Sequence, residues 1–178
     1  MSSVPRLAVF FVLGGLLWPL IEYAVHGFLG HRMRTFVSPL HWAHHEDPRA
    51  VFTSPLAGVP AVVAVLGALG LSLGWPEGAA LTAGATLGFA RYEWLHWRIH
   101  FRAPRTAREA RRRAHHLAHH YADPEAYHGV TTRFWDRVFG SLPAHWSHDY
   151  ARVAKRAPLL GPSNLGRLRV DRSTPPPS

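Results

Sequence analysis

The chain has 178 residues, enough for one domain, with 47% apolar residues and a formal net charge of +9. It contains no cysteine, which excludes disulfides, thiolate zinc sites and thiol chemistry. Residues 1–97 carry five Arg and five acids, whereas residues 98–178 carry fifteen Lys+Arg against six acids, so a neutral apolar half joins a basic half. That asymmetry suits a membrane part with a charged cytoplasmic face better than a soluble globule.

In chain order, the first element is "LAVFFVLGGLLWPLI" (7–21). It is charge-free, and extended through "EYAVHGF" it reaches the roughly 20 residues a bilayer crossing needs. A single basic residue precedes it, no small-residue cleavage site is evident, and histidine-bearing sequence follows at once. It therefore reads as a span and not as a signal peptide. A second charge-free run, 50–76, holds another span of about 19 residues. "GWPEG" (74–78) reads as a tight turn. A third run, "GAALTAGATLGFA" (78–90), continues into "RYEWLHWRIH"; its small residues suit close helix packing in a membrane.

Three spans with so short a second connection place the termini on opposite sides. The loop at 31–55 and everything from 98 onward share one side, with Arg32, Arg34, Arg49 and the fifteen basic residues. The positive-inside rule puts that side in the cytoplasm, with Arg6 alone against it. Beyond the spans, 104–121 reads as a helix opening at Pro104. "GVTTRFWDRVFG" (129–140) reads as a turn and a short helix capped by Thr131 or Thr132. Residues 1–157 are expected to form one membrane-embedded domain, and 158–178, ending "STPPPS", a disordered tail.

Fourteen histidines are several times the usual number, and ten fall into four sets. They are His26 and His31; His41, His44 and His45; His96 and His100; and His116, His119 and His120. The topology alone predicts all four on one side of the membrane at one depth. Positions i, i+3 and i+4 share a helix face, so each of the last three sets presents convergent imidazoles. His26 and His31 are five apart, about 140° around an ideal helix. They converge only if Gly27 or Gly30 loosens the helix; otherwise they feed two metals, or His31 lies past the helix end. Ten imidazoles are too many for one ion and fit two, and imidazole suits Fe, Zn, Cu and Ni. Glu22 and Glu93 lie near the sets and are candidates to orient an imidazole from behind. His145, His148 and His128 read as ordinary surface or core residues. A histidine tract in a transporter or storage protein sits in one loop, unlike these distributed pairs. A haem carrier needs one or two axial histidines, not such clusters.

The four sets in order, H-x4-H, H-x2-H-H, H-x3-H and H-x2-H-H, followed by "GVTTRFWDRVFG", resemble the fatty acid hydroxylase / sterol desaturase superfamily. "EYAVHGFLGH" is similar to the first box of its fatty acid 2-hydroxylase branch. The resemblance covers about 22–140. It implies an all-α integral membrane protein, with about three spans here and a cytoplasmic helical cap carrying a di-metal site. It implies ten ligands (His26, His31, His41, His44, His45, His96, His100, His116, His119, His120), with Asp136 in support from outside them. The implied cofactors are two iron ions, which Zn can replace in a purified sample, with O2 as co-substrate. The implied reaction puts oxygen into an unactivated C–H bond of a fatty acyl lipid.

Electrons are expected from a separate ferredoxin- or cytochrome-type donor, since no fused haem domain is evident. The expected location is a bacterial inner membrane, with the metal site and C-terminus facing the cytoplasm. Phe89, Tyr92, Trp94 and Trp97 either line the lipid path or form an interfacial belt. Some features depart from the pattern: three spans where about four are usual, a short gap from His31 to His41, an extra His115 that would be a spare ligand or a support behind the ligands, and His128 where an aromatic residue is usual. Alternatives are a carotenoid ring hydroxylase, a sterol or lipid desaturase, and a non-enzymatic membrane metal-binding or transport protein. Arg111, Arg112 and Arg113 suit anionic headgroups or an acidic donor. Nucleic-acid binding is not expected, since no reading module accompanies the charge.

Overall fold

The structure is a computed structural model that describes residues 3–33 and 35–156. The expected tail at 158–178 lies outside them. The described residues form helices α1 (Ser3–Tyr23), α2 (Val37–Glu46), α3 (Pro55–Leu73), α4 (Trp75–Phe101), α5 (Ala107–Tyr121), α6 (Phe134–Val138) and α7 (Trp146–Arg156). A π-helical segment, Ala24–Arg32, continues α1 without a break.

Among the described residues two helices are long and apolar enough to cross a membrane, Val4–Arg32 and Pro55–Leu73, and only 6% of each apolar window is buried. Val4, Leu16, Leu56, Val63 and Leu71 stand largely exposed. A helix that is apolar all round and not buried in protein has lipid as its natural solvent. The expected third span, α4, has 27 residues, but it carries Glu77, Arg91, Glu93 and Arg98 and does not share that apolarity.

Helix α4 is the central element, packing along α1 and α3. Small residues set the α1–α4 distance. A Cβ on Gly84 would run into the backbone carbonyl of Phe11, and one on Gly14 would lie 2.8 Å from the nitrogen of Ala85. The small residues of "GAALTAGATLGFA" thus serve the close packing they suggested.

Three local readings change. The turn at 74–78 is one residue: Gly74, at φ +96, joins α3 to α4, and Pro76 already lies in the first turn of α4. Helix α5 opens at Ala107, not Pro104, because the side chain of Thr106 accepts from the backbone N–H of Glu109. Neither threonine is the N-cap of α6, which is Arg133; Thr131 turns to Glu22, while Thr132 Oγ1 accepts from Phe134 N–H at 3.2 Å. Arg6, the dissenting charge, pairs with Glu77 at 2.5 Å.

Helix α7 packs on α5 around Ala118, Ala126, Tyr127 and Tyr150. Its buried face, Asp149, Tyr150 and Val153, was not read from the sequence.

Candidate metal centre

The histidines converge in two groups of five. His26, His31, His41, His45 and His119 form one; His44, His96, His100, His116 and His120 form the other. Within each group, one nitrogen per residue lies within 4.8 Å of every other.

The π-helical segment solves the five-residue spacing. Its backbone bonds run i to i+5, as from Met33 N–H to Phe28 O at 2.8 Å. His26 and His31 therefore stack one turn apart on one face, their ring centroids at 5.5 Å. The glycines act by admitting neighbours. A Cβ on Gly27 would lie 2.9 Å from the His128 ring, and one on Gly30 3.4 Å from that of His41.

The H-x2-H-H sets do not each converge on one point, as their spacing suggested; they split. In α2, His41 and His45 face the first group and His44 the second. In α5, His116 and His120 face the second group and His119 the first. Each group is therefore two same-face pairs from separate segments plus one imidazole from the other group's wall. His45 and His120 bridge the groups with stacked rings 4.3 Å apart.

The donor spacing is that of ligands, not of hydrogen bonds. In the first group, His41 Nε2 lies 3.2, 2.7 and 2.9 Å from the Nε2 atoms of His26, His31 and His45. One ring nitrogen cannot bond three others, since each carries at most one proton. In the second group, His116 Nε2 lies 3.0 Å from those of His96, His100 and His120. Donors about 2.1 Å from an ion and at right angles stand about 3.0 Å apart, against about 3.4 Å for tetrahedral donors. Both groups thus fit a metal with more than four ligands.

Backbone carbonyls set the tautomers in the first group. His26 Nδ1 lies 2.5 Å from His128 O, and His119 Nδ1 lies 2.7 Å from Ala126 O. A carbonyl only accepts, so both Nδ1 atoms carry the proton and both Nε2 atoms present lone pairs. Burial, followed by the neighbouring imidazoles, holds His119, His116 and His120 well below the usual histidine range. Burial likewise puts His44 at about 4 and His45 at about 3. The donors are neutral, as metal binding requires.

Asp136 holds the support together. Its carboxylate accepts from the N–H groups of His128 (2.7 Å) and Gly129 (3.0 Å) and from Ser141 Oγ (2.8 Å). The peptide thus fixed is the one whose carbonyl orients His26. Tyr127, at φ +62, turns the chain into position, with its N–H bonded to Ser141 O and its hydroxyl to Asp149. The extra histidine, His115, is no ligand candidate: its Nε2 lies 3.0 Å from Asp136 and its Nδ1 2.5 Å from the Tyr150 hydroxyl.

The two glutamates act differently from expectation. Glu22 accepts from the backbone N–H groups of Val130 and Thr131 and from the Thr131 hydroxyl, so it ties α1 to the loop before α6. Glu93 accepts from Thr53. Neither carboxylate orients an imidazole through these bonds. Beside one of the ten ligand candidates lies a different carboxylate, Glu125 at 3.8 Å from His31 Nδ1, which carried no sequence signal. His128 is fully buried, with its ring 5.4 to 5.7 Å from those of His31, His119 and His26. His145 and His148 are exposed, as expected.

The aromatic residues divide. Tyr92 stacks on His96 at 5.4 Å, Phe89 stacks on Tyr92, and Trp18 of α1 closes against both. Trp94 and Trp97 instead lie under the guanidinium groups of Arg98 and Arg102.

The fatty acid hydroxylase family model matches residues 11–141. The chain is similar to a dihydroceramide fatty acyl 2-hydroxylase of Arabidopsis thaliana, 30% identical over 151 residues that make up 79% of this chain and 63% of that protein. It is 32% identical to the ceramide very long chain fatty acid hydroxylase of Schizosaccharomyces pombe, covering 74% of this chain and 42% of the relative. It is 37% identical to the fatty acid 2-hydroxylase of Macaca fascicularis, covering 74% and 39%. The chain thus spans from about two fifths to under two thirds of these relatives. Among solved structures, full-length scs7p, with only its hydroxylase domain visible, is similar at a TM-score of 0.68 and 28% identity, over 79% of this chain and 57% of the other.

Proposed function

The chain belongs to the fatty acid hydroxylase family, and from that premise we propose that it is a membrane oxygenase that hydroxylates the acyl chain of a lipid. The observation that carries the proposal is the pair of five-imidazole groups at ligand spacing. His26, His31, His41, His45 and His119 would hold one iron, and His44, His96, His100, His116 and His120 the other. When bound there, two irons would supply the redox capacity that O2 chemistry at an unactivated C–H bond needs, with electrons from an external donor. Imidazole sites bind zinc at least as tightly as ferrous iron, but zinc has no redox chemistry, and that favours iron as the working metal.

The chain's own residues do the rest. Asp136, through the His128 peptide, holds the His26 proton on Nδ1 and its lone pair inward. Tyr92 braces the ring of His96. The apolar column Trp18–Phe89–Tyr92 is the favoured lining for an acyl chain arriving from the bilayer, and it keeps water from the reacting carbon. In balanced form, a C–H bond, O2, two electrons and two protons give an alcohol and water. In this reading α4 is the third span, and the basic side with the metal centre faces the cytoplasm of a bacterial inner membrane. The donor, of ferredoxin or cytochrome type, approaches from that side.

The relatives' names point to carbon 2 of the acyl chain as the first position to examine. Lipid mass spectrometry of a host with and without the gene, under 18O2, tests the proposal. A hydroxylated acyl lipid carrying the heavy oxygen is expected. Hydroxylated carotenoid rings, or no oxidised lipid in a donor-supplied host with the metals loaded, would overturn it.

A further inference from the structure

Where α4 ends and α5 begins, a cleft opens between the two helices. Its floor is apolar, from Leu95, Ile99, Ala103 and Pro104, and four arginines surround it: Arg98, Arg102, Arg112 and Arg113. Its volume is about 20 Å3. That is room for one oxygen at the base.

The only acid in the lining is Glu109, and it is already engaged. It accepts from Arg98 at 3.1 Å and from the backbone N–H of Arg105 at 2.7 Å. Arg98, Arg102 and Arg112 against that one carboxylate leave the cleft net positive, while Arg113 donates to Ile99 O at 3.1 Å. Burial, and then the like charges of Arg108 and Arg91, disfavour the charge on Arg112. Arg98 and Arg102 are held over Trp94 and Trp97, each 5.1 Å from the ring centroid. The cleft is thus a preset positive mouth over an apolar floor, beside tryptophans at the end of a long helix. A basic pocket between helices at a membrane surface suits a lipid phosphate.

We propose that this cleft binds the phosphate group of an anionic membrane phospholipid, with Arg102 and Arg112 as its principal donors. Binding needs neither O2 nor turnover, so the proposal stands or falls separately from the hydroxylase reading.

The test uses the full chain, purified with its metals in a neutral detergent. Native mass spectrometry reads retention of phosphatidylglycerol, phosphatidylcholine, palmitate and inorganic phosphate. Phosphatidylglycerol should bind at least about tenfold tighter than phosphatidylcholine. The double variant R102Q/R112Q should remove that preference, and R102K/R112K should restore most of it. R105Q/R108Q loses the same charge outside the cleft and should keep the preference. Metal content and helical circular dichroism show that each variant is folded. Equal retention of both phospholipids, or equal loss in the two glutamine doubles, would overturn the site. Palmitate or free phosphate binding more tightly than phosphatidylglycerol would overturn the phospholipid as occupant.

Discussion

His26 and His119 bring their Nε2 atoms to 2.9 Å, although each has already given its proton-bearing Nδ1 to a backbone carbonyl. Two lone pairs facing at that distance repel unless a positive charge lies between them. The residues are 93 positions apart and come from different helices. The fold has arranged this contact and offers no proton to satisfy it. A cation would resolve the conflict, and it would also account for His41 and His116, each of which sets one ring nitrogen against three others.

The first prediction follows directly. The purified chain should hold two metal ions, and stripping them with a chelator should lower thermal stability, because five converging neutral donors stabilise the fold only when a cation holds them. Metal analysis and a melting curve with and without chelator measure this. A stoichiometry of one, or an unchanged melting temperature after complete stripping, would count against the two-centre reading.

A second prediction uses the split of the boxes. His41→Ala with His45→Ala should leave one metal bound, because both donors serve the first group. His96→Ala with His100→Ala should also leave one, the other. His44→Ala with His45→Ala touches both groups once and should weaken both metals without abolishing either. Stoichiometry against free metal concentration separates the three patterns.

A third concerns Asp136. Asp136→Ala would leave the N–H groups of His128 and Gly129, the Ser141 hydroxyl and His115 without their buried acceptor. Each such loss costs roughly 1–3 kcal/mol, so a destabilisation of more than about 3 kcal/mol is expected. Metal affinity at the first group should also fall by about 10- to 100-fold. His115→Phe should destabilise while leaving metal stoichiometry at two, since that ring supports Asp136 and donates to no metal.

The fourth tests the helix contact. Gly84→Val places methyl groups where the carbonyl of Phe11 lies, and should cost about 1–3 kcal/mol or more through forced separation of α1 and α4. Gly67→Val, where a Cβ meets nothing within 4 Å, should be close to neutral. Unfolding in detergent compares the two.

Much of this was legible in the chain itself. Apolar runs announced α1 and α3, because crossing lipid demands about 20 apolar residues in series, a strictly local property. The ten clustered histidines were legible for a similar reason: helical spacing is written in the sequence, and it places imidazoles on one face. The support around them was not. His26 and His119 are oriented by carbonyls of residues 128 and 126, and every residue has a carbonyl, so no side-chain pattern marks those two. Glu22 and Glu93 looked like imidazole partners by spacing, yet the chain brought Val130, Thr131 and Thr53 nearer.

By itself, then, the sequence determined the apolar runs, the clustered imidazoles and their helical spacing, and the positive charge gathered on the second half. Only the tertiary structure decided which imidazole belongs to which group. That choice depends on how α2 and α5 sit between the two groups. Neighbouring positions such as His44 and His45, or His119 and His120, point about 100° apart on an α-helix and fall in different groups. It also decided that the five-residue step from His26 to His31 closes in a π-helical turn, and that His115, one residue before a ligand candidate, faces away to hold Asp136.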